Sequence, residues 1–300
     1  MSHILTKYNK DKHYFNEPFP HIIIDNCLDD ELYNQLDKYF PNNNLFKPKE
    51  KKENQPYWIY GKELMEVDKI WENFINEHLT QNFYDKAVEI LSPLMKELDP
   101  NYITNLGKNL DDCNYSLAEN GRADNPNNKK SDIVISITAG INTPCKKRSI
   151  IEPPHNDFPQ KLFNSLLYMR KNDDDSIGGD LTLYEVKNPF LFTSKSEDTY
   201  EVNEKYLKAI KTIKYEKNVL VLFPQKINAV HGVTARGPTT HTRRYININM
   251  ESYILKRGAF FKTPRSLHAR IKFKILNTRV VKEMKNTFRP YYHALKRNIK

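Results

Sequence analysis

Cysteine is scarce in this chain, and its few copies lack the spacing of a covalent or metal-bound scaffold. The three cysteines, Cys27, Cys113 and Cys145, are far apart in the sequence and form no Cys-x-x-Cys pair. An odd number of isolated cysteines argues against both a disulfide framework and a zinc ribbon. The cysteine content is therefore typical of a protein from a reducing compartment.

Long apolar runs are also missing. The first fifteen residues lack the apolar core of a secretory signal. No stretch approaches the roughly 20 apolar residues that a membrane-spanning helix needs. We therefore expect a cytoplasmic protein that does not associate with membranes. Its 39% hydrophobic and 12% aromatic residues are enough for a sizeable core, which excludes a disordered chain.

The net charge of +10 is confined to one end of the sequence. Residues 256–300 contain 14 Lys and Arg and one acid, a net charge of +13, which leaves −3 for the first 255 residues. Apolar residues recur in this tail at strand and helix spacing, which predicts a packed, partly helical element with solvated lysines. Binding of nucleic acid or another polyanion is the less favoured alternative, and an acidic substrate is a milder form of it.

The hydrophobic pattern changes character near Asp132. Before it, helical spacing dominates; after it, short β-branched runs alternate with turns and few regular helices intervene. This order predicts an α+β chain whose β core is an antiparallel sandwich or barrel. The expected elements are a strand at 20–25, a helix from 29 or 30 to about 39, a loop at 42–57, helices around 70–75 and 83–95, and strands at 133–138, 166–169, 181–184, 219–223 and 245–248.

These patterns predict one large domain with an appendage. We expect residues 1–255 to form the domain, with a helical part at 1–131 and a β core at 132–255, and residues 256–300 to form a basic C-terminal extension.

A His-x-Asp tripeptide marks the candidate site. Residues two apart on an extended strand point to the same side, so His155 and Asp157 can approach one metal ion together. A third ligand is available in His231, which follows the apolar strand predicted at 219–223. Two imidazoles and one carboxylate leave coordination positions open and suit Fe(II). The tripeptide alone is more often a coincidence, so its surroundings decide its meaning.

Those surroundings resemble the prolyl-4-hydroxylase-like branch of the Fe(II)- and 2-oxoglutarate-dependent oxygenase superfamily. The similarity extends over about residues 132–252 and is carried by four motifs in order: PPHNDFPQKLFNSLLYM, SIGGDLTLYE, NVLVLFPQKINAVHGV and HTRRYININ. The resemblance implies a double-stranded β-helix core (jelly roll, cupin-like) with the N-terminal helices packed on its major sheet.

The resemblance also implies a chemistry. Fe(II) would be held by His155, Asp157 and His231, with 2-oxoglutarate and O2 as cosubstrates and ascorbate as a candidate addition. The reaction would be a dioxygenase reaction that hydroxylates or desaturates a substrate and releases succinate and CO2. The substrate would be a small molecule or a protein side chain, with an anionic one as a candidate, and the sequence identifies neither the substrate nor the oligomeric state.

Two further residues are implied as 2-oxoglutarate ligands. Arg244 is predicted to pair with the C5 carboxylate, because an arginine followed by an aromatic residue resembles the family pattern there. Arg243 is the rival, since neighbouring strand residues point to opposite faces and only one of the two can point inward. Tyr168 is implied to contact the same carboxylate, with a core aromatic as an equal alternative.

A different class of function stays open at this point. The chain could be a catalytically silent jelly-roll module that binds a partner, for example a polyanion through its basic tail. The complete set of two histidines, an aspartate and an arginine favours the enzyme.

Overall fold

The computed structural model describes residues 2–46, 53–120, 122–187, 193–194, 200–202 and 204–261. Most of the basic extension, which was expected to be packed and partly helical, lies outside these ranges. The helices are α1 Lys10–His13, α2 Asp30–Lys38, α3 Gly61–Met65, α4 Lys69–Glu77, α5 Gln81–Leu98 and α6 Tyr102–Leu106.

The strands lie mainly in the second half of the chain. They are β1 Tyr14–Phe15, β2 His21–Ile24, β3 Pro56–Tyr60, β4 Tyr115–Leu117, β5 Ile133–Asn142, β6 His155–Asn156, β7 Lys161–Tyr168, β8 Leu181–Val186, β9 Thr193–Ser194, β10 Tyr200–Glu201, β11 Leu207–Ile213, β12 Leu220–Pro224, β13 His231–Val233 and β14 Arg243–Glu251.

These strands form two sheets. The major sheet has eight strands in the order β1-β2-β12-β7-β14-β5-β3, with β4 paired in parallel to β5. The minor sheet has six strands in the order β11-β8-β13-β6-β10-β9. All other pairings in the described ranges are antiparallel, and no strand there belongs to both sheets. The core is therefore a sandwich and not a closed barrel.

The helices cover the outer face of the major sheet. In α4, Trp71, Phe74 and Ile75 are fully buried, and they belong to one apolar cluster with alternate residues of β5 and β14. The helix begins at the cap Asp68, whose side chain accepts a hydrogen bond from the Ile70 amide. The helix stripe and the strand alternation thus bury the same core from its two sides.

A second, smaller apolar cluster lies between the two sheets. It joins Leu181 and Leu183 of β8 to Val221 and Phe223 of β12 and to Tyr245 of β14. Because the major sheet is covered on both faces, every residue of β5 is buried. The inner face of the major sheet therefore lines an enclosed space shared with the minor sheet.

The predicted fold class is confirmed, since helices from the first part of the chain pack on the major sheet of an antiparallel β sandwich. The expected strand at 20–25, three helices and five core strands are present with shifted ends. One expectation was wrong at its end: the loop predicted at 42–57 overlaps β3, which begins at Pro56 and forms an edge of the major sheet. The N-terminal part thus contributes β1, β2, β3 and β4 to that sheet.

Candidate metal centre

Three side chains predicted as metal ligands come together in the minor sheet. His155 opens β6 and His231 opens β13, and the two residues are direct antiparallel partners. Asp157 follows β6. Nε2 of His155 lies 3.6 Å from Oδ1 of Asp157, and Nε2 of His231 lies 3.8 Å from Oδ2. All three ligand atoms lie within 4.8 Å of one another, so one ion could contact all three.

The protonation pattern of the two imidazoles suits a metal ion. Nδ1 of His155 is 2.9 Å from the Pro153 carbonyl oxygen, and Nδ1 of His231 is 3.1 Å from that of Ala229. A carbonyl oxygen only accepts, so both Nδ1 atoms carry a proton and donate it. In the neutral rings, this leaves the lone pair on each Nε2, the atom that faces Asp157.

The electrostatics of the site also favour a cation. Burial opposes a charge on His155, but the carboxylates of Asp157 and Glu152 outweigh it and raise the His155 pKa to about 9. Burial and the neighbouring His155 lower the pKa of His231 to about 4. Burial would raise the pKa of Asp157, but Lys161 and the two imidazoles hold it well below its usual range. A bound metal ion would take the place of the His155 proton and release it.

Asp157 has two further partners that the sequence did not predict. Lys161 lies with its Nζ 3.2 Å from Oδ2 of Asp157, and the side-chain amide of Asn164 donates to the same oxygen. A second carboxylate, that of Glu152, lies near His155, with its Oε1 3.7 Å from Nε2 of the imidazole. The spacing of four between Asp157 and Lys161 was visible in the sequence, but it brings the side chains together only through the turn between them.

The triad opens into a cavity of about 360 Å³ between the two sheets. Aromatic and polar side chains from both sheets line it. Besides the triad and its neighbours, they include Pro56, Trp58, Tyr60, Arg122, Asn142, Phe158, Leu181, Phe223, Val233, Arg243, Tyr245, Asn247 and Asn249.

The structure corrects the choice between the two arginines. Arg243 lines the cavity, together with Tyr245 and Asn247 on the same side of β14. Arg244 points to the helix side, where it pairs with Asp37 and its guanidinium lies 4.7 Å from the centre of the Phe40 ring. Strand alternation makes the two positions exclusive. The prediction that Arg244 points inward was therefore wrong.

Among the described residues, Arg243 is a buried cation without an acidic partner. It is 3% exposed, and it donates from Nε to the Gly179 carbonyl at 2.9 Å and from Nη1 to Oδ1 of Asn142 at 3.2 Å. Its Nη2 has no hydrogen-bond partner in the part of the chain that the structure describes. A buried donor left in this state is costly, which indicates a place for an anionic ligand.

Neighbouring residues hold Arg243 in position. The ring centres of Tyr168, Tyr215 and Tyr245 are each 5.1 Å from its guanidinium carbon. Gly179 has a φ of +82°, and a Cβ atom there would lie 3.2 Å from Cδ of Arg243. Glycine thus permits both the turn and the close approach of the arginine.

Tyr168 occupies the core position that one of its two alternative roles requires. It is fully buried in the apolar cluster between the sheets. Its hydroxyl has no hydrogen-bond partner among the described residues, and its ring faces Arg243. It is a core aromatic that packs against the guanidinium of Arg243.

A second cation, Arg122, lines another part of the cavity. Its guanidinium carbon lies 5.1 Å from the centre of the Phe158 ring, and Nη1 lies 3.9 Å from Oε1 of Glu251. Nothing in the sequence had indicated a role for this arginine. A carboxylate therefore lies near Arg122.

The structure contains no helix, within its described ranges, that is long and apolar enough to cross a membrane.

Comparisons with known proteins find similarity in structure only. No protein-family model and no curated protein matches the sequence. A prolyl 4-hydroxylase from Phytophthora capsici aligns over 77% of this chain at 16% identity with a TM-score of 0.39, and this chain spans 58% of its length. A prolyl hydroxylase from Trichoplax adhaerens, in complex with a hypoxia inducible factor peptide fragment, aligns over 77% of this chain and 83% of its own at 14% identity, with a TM-score of 0.37. A prolyl-4-hydroxylase from Pseudomonas putida aligns over 81% of this chain and 95% of its own at 9% identity, also with a TM-score of 0.37.

Proposed function

We propose that this protein is an Fe(II)- and 2-oxoglutarate-dependent dioxygenase that hydroxylates a C–H bond of its substrate. One observation carries the proposal: a cavity between two sheets is lined both by two imidazoles and a carboxylate that can share an ion, and by a buried arginine that has no acid beside it in the described part of the chain. The first group suits a ferrous ion, and the second suits the far carboxylate of an oxoacid.

In this assignment His155, Asp157 and His231 hold the metal. A bound ferrous ion would supply the activation of O2, coupled to the decarboxylation of 2-oxoglutarate to succinate and CO2. The backbone carbonyls of Pro153 and Ala229 keep the two imidazoles oriented with Nε2 inward. Preformed orientation of this kind lowers the cost of binding the ion.

Arg243 anchors the C5 carboxylate of 2-oxoglutarate. A guanidinium offers two parallel donors to a carboxylate and remains charged when buried. Its unpaired Nη2 would gain an acceptor, and the hydroxyl of Tyr168 would be a further donor. The surrounding tyrosine rings exclude water and so strengthen the ion pair.

Two broader features belong to the proposal. The substrate is a small molecule or a protein side chain that enters beside Trp58, which is 42% exposed and lines the cavity. A reducing, cytoplasmic environment is supported by Cys27, Cys113 and Cys145, which are all free thiols and buried.

The experiment compares neighbouring arginines on opposite faces of one strand. Arg243→Met and Arg244→Met are titrated with 2-oxoglutarate in the presence of Co(II), without oxygen. Losing one partner of a buried ion pair costs about 2 kcal/mol or more, so Arg243→Met should weaken 2-oxoglutarate binding by about 30-fold or more. Arg244→Met should change it less than about threefold, because its side chain lies outside the cavity.

Turnover supplies the second measurement. Succinate formed from 2-oxoglutarate with Fe(II) and ascorbate should appear with the wild type and increase with a suitable substrate in a metabolite and peptide screen. A wild-type protein that binds neither Co(II) nor Fe(II) and forms no succinate would instead be the silent binding module.

A further inference from the structure

Lys161 stands out as a buried lysine directed at a proposed metal ligand. It is 6% exposed, and its Nζ lies 3.2 Å from Oδ2 of Asp157. The amide of Asn164 donates to the same oxygen. Two donors therefore occupy Oδ2, while Oδ1 accepts from neither of them.

Backbone hydrogen bonds and a ring contact fix the position of Lys161. A turn follows Asp157, closed by a hydrogen bond of 3.2 Å from the Lys161 amide to the Phe158 carbonyl. Lys161 then opens β7, where it is the antiparallel partner of Glu251 on β14. Its ammonium also lies 5.5 Å from the centre of the Phe158 ring. A residue fixed at both its backbone and its head group has little freedom to move away from the carboxylate.

We propose that Lys161 is a positioning residue that, with Asn164, holds Oδ2 of Asp157 so that only Oδ1 is offered to the metal. The inference rests on the proposed function, since it needs an ion at the triad. A carboxylate that binds through one oxygen leaves positions free for a bidentate oxoacid and O2. The ammonium also draws electron density from the carboxylate and repels a divalent ion.

This role makes a prediction of unusual sign: removal of Lys161 should tighten metal binding. The wild type, Lys161→Met and Lys161→Arg are titrated with Co(II) as apoproteins by calorimetry. Lys161→Met should bind Co(II) more tightly by on the order of tenfold, because repulsion by one nearby charge is removed. Lys161→Arg keeps the charge and should stay near the wild-type affinity.

Lys62→Met is the matched control, because Lys62 forms an exposed ion pair with Glu119 and does not line the cavity. It should bind Co(II) as the wild type does. A merely structural lysine would leave the affinity of Lys161→Met unchanged or weaken it, and either result overturns the inference. Lys161→Gln gives an independent test of the same sign if the methionine variant does not fold.

The reduction potential supplies a second measurement. Removing a positive charge beside the ion should shift the Fe(III)/Fe(II) potential of Lys161→Met to more negative values, and an unchanged potential contradicts the proposal. The two proposals fail separately. If the wild-type protein binds no metal ion through His155, Asp157 and His231, the proposed function is wrong. If it binds the ion but the affinity does not depend on Lys161, only the present inference is wrong.

Discussion

The two faces of the major sheet differ in how completely their side chains are satisfied. On the face toward the helices, β5 and β14 present isoleucines, an alanine and a methionine to one large apolar cluster. On the face toward the minor sheet, the same strands and β7 carry buried polar atoms without a hydrogen-bond partner in the described ranges. These atoms belong to Thr138, Asn142, Asn164, Tyr168, Arg243 and Glu251.

This difference indicates what each face is for. An unsatisfied buried polar group costs about 1–3 kcal/mol, so it is rarely retained in a part of a protein that serves packing alone. When such groups cluster on one face, they indicate a ligand that supplies their missing hydrogen-bond partners. The helix side stabilises the fold, and the cavity side gives up stability for binding.

The largest expected effect tests the cavity side. His231→Ala should weaken Co(II) binding by more than about 100-fold, because losing a ligand costs more than the 10–100-fold that follows from losing the hydrogen-bond partner that orients a ligand imidazole. Succinate formation should be lost with it. The metal-free variant should remain folded, although it loses the contacts of the His231 ring with Phe223 and His155.

The control is His241→Ala, which removes a half-exposed histidine that does not line the cavity. It should keep Co(II) affinity and turnover. Equal losses in the two variants would mean that His231 has no special place in metal binding.

The second effect tests the helix side. Phe74 is fully buried in α4, and Phe74→Ala should lower the free energy of unfolding by about 3–5 kcal/mol through lost burial and a cavity. Urea denaturation measures this loss. Leu45→Ala, at a 47% exposed position, is the control and should change stability little.

Below its unfolding transition, Phe74→Ala should bind Co(II) as the wild type does. A parallel loss of metal affinity in the folded variant would show that the two faces of the sheet are not independent.

Much of the helix side could be predicted from the sequence, because burial there follows simple periods. The spacing of Ile70, Phe74 and Ile75 gave α4, and β-branched runs gave β5 and β14. Edge strand β3 was missed because five residues beginning with Pro56 stand among polar neighbours.

The cavity side was harder to predict, because its residues are polar and only three-dimensional structure brings them together. The inward arginine was nevertheless visible: Arg243 is in phase with Asn247 and Asn249, whereas Arg244 is in phase with Ile246 and Ile248. Following this alternation would have given the correct choice. Lys161 and Asn164 were missed because their contact with Asp157 depends on the local turn.

Acid should destabilise the helix side through His78. Nδ1 of this buried histidine donates to the Phe74 carbonyl, and Nε2 accepts from the Ile4 amide at 3.2 Å, so only the neutral ring fits. Burial lowers the pKa of His78 from 6.5 to about 3. Because the unfolded chain takes up this proton first, stability is complete above about pH 6.5 and falls as the pH decreases toward 3.

The slope contributed by His78 should reach about 1.4 kcal/mol per pH unit within that window. Urea denaturation at pH 7, 6 and 5 measures it. His78→Gln should be less stable at pH 7 and should show a flatter pH dependence. The half-exposed His13 provides the control, because His13→Gln should retain the wild-type slope. An identical slope in His78→Gln would assign the acid sensitivity to other groups.

The smallest effect concerns the ion pair of Arg244 with Asp37, which sharpens the comparison between the two faces. The Asp37 side chain is 31% exposed, and solvent screens such a pair, so Asp37→Ala should cost at most about 1 kcal/mol of unfolding free energy. Arg244 keeps its hydrogen bond from Nε to the Met169 carbonyl at 3.1 Å and its place beside the Phe40 ring. Titration with 2-oxoglutarate and Co(II) should give the wild-type affinity. Weaker oxoacid binding in Asp37→Ala would mean that Arg244 reaches the cavity after all, and the assignment of Arg243 would then be lost.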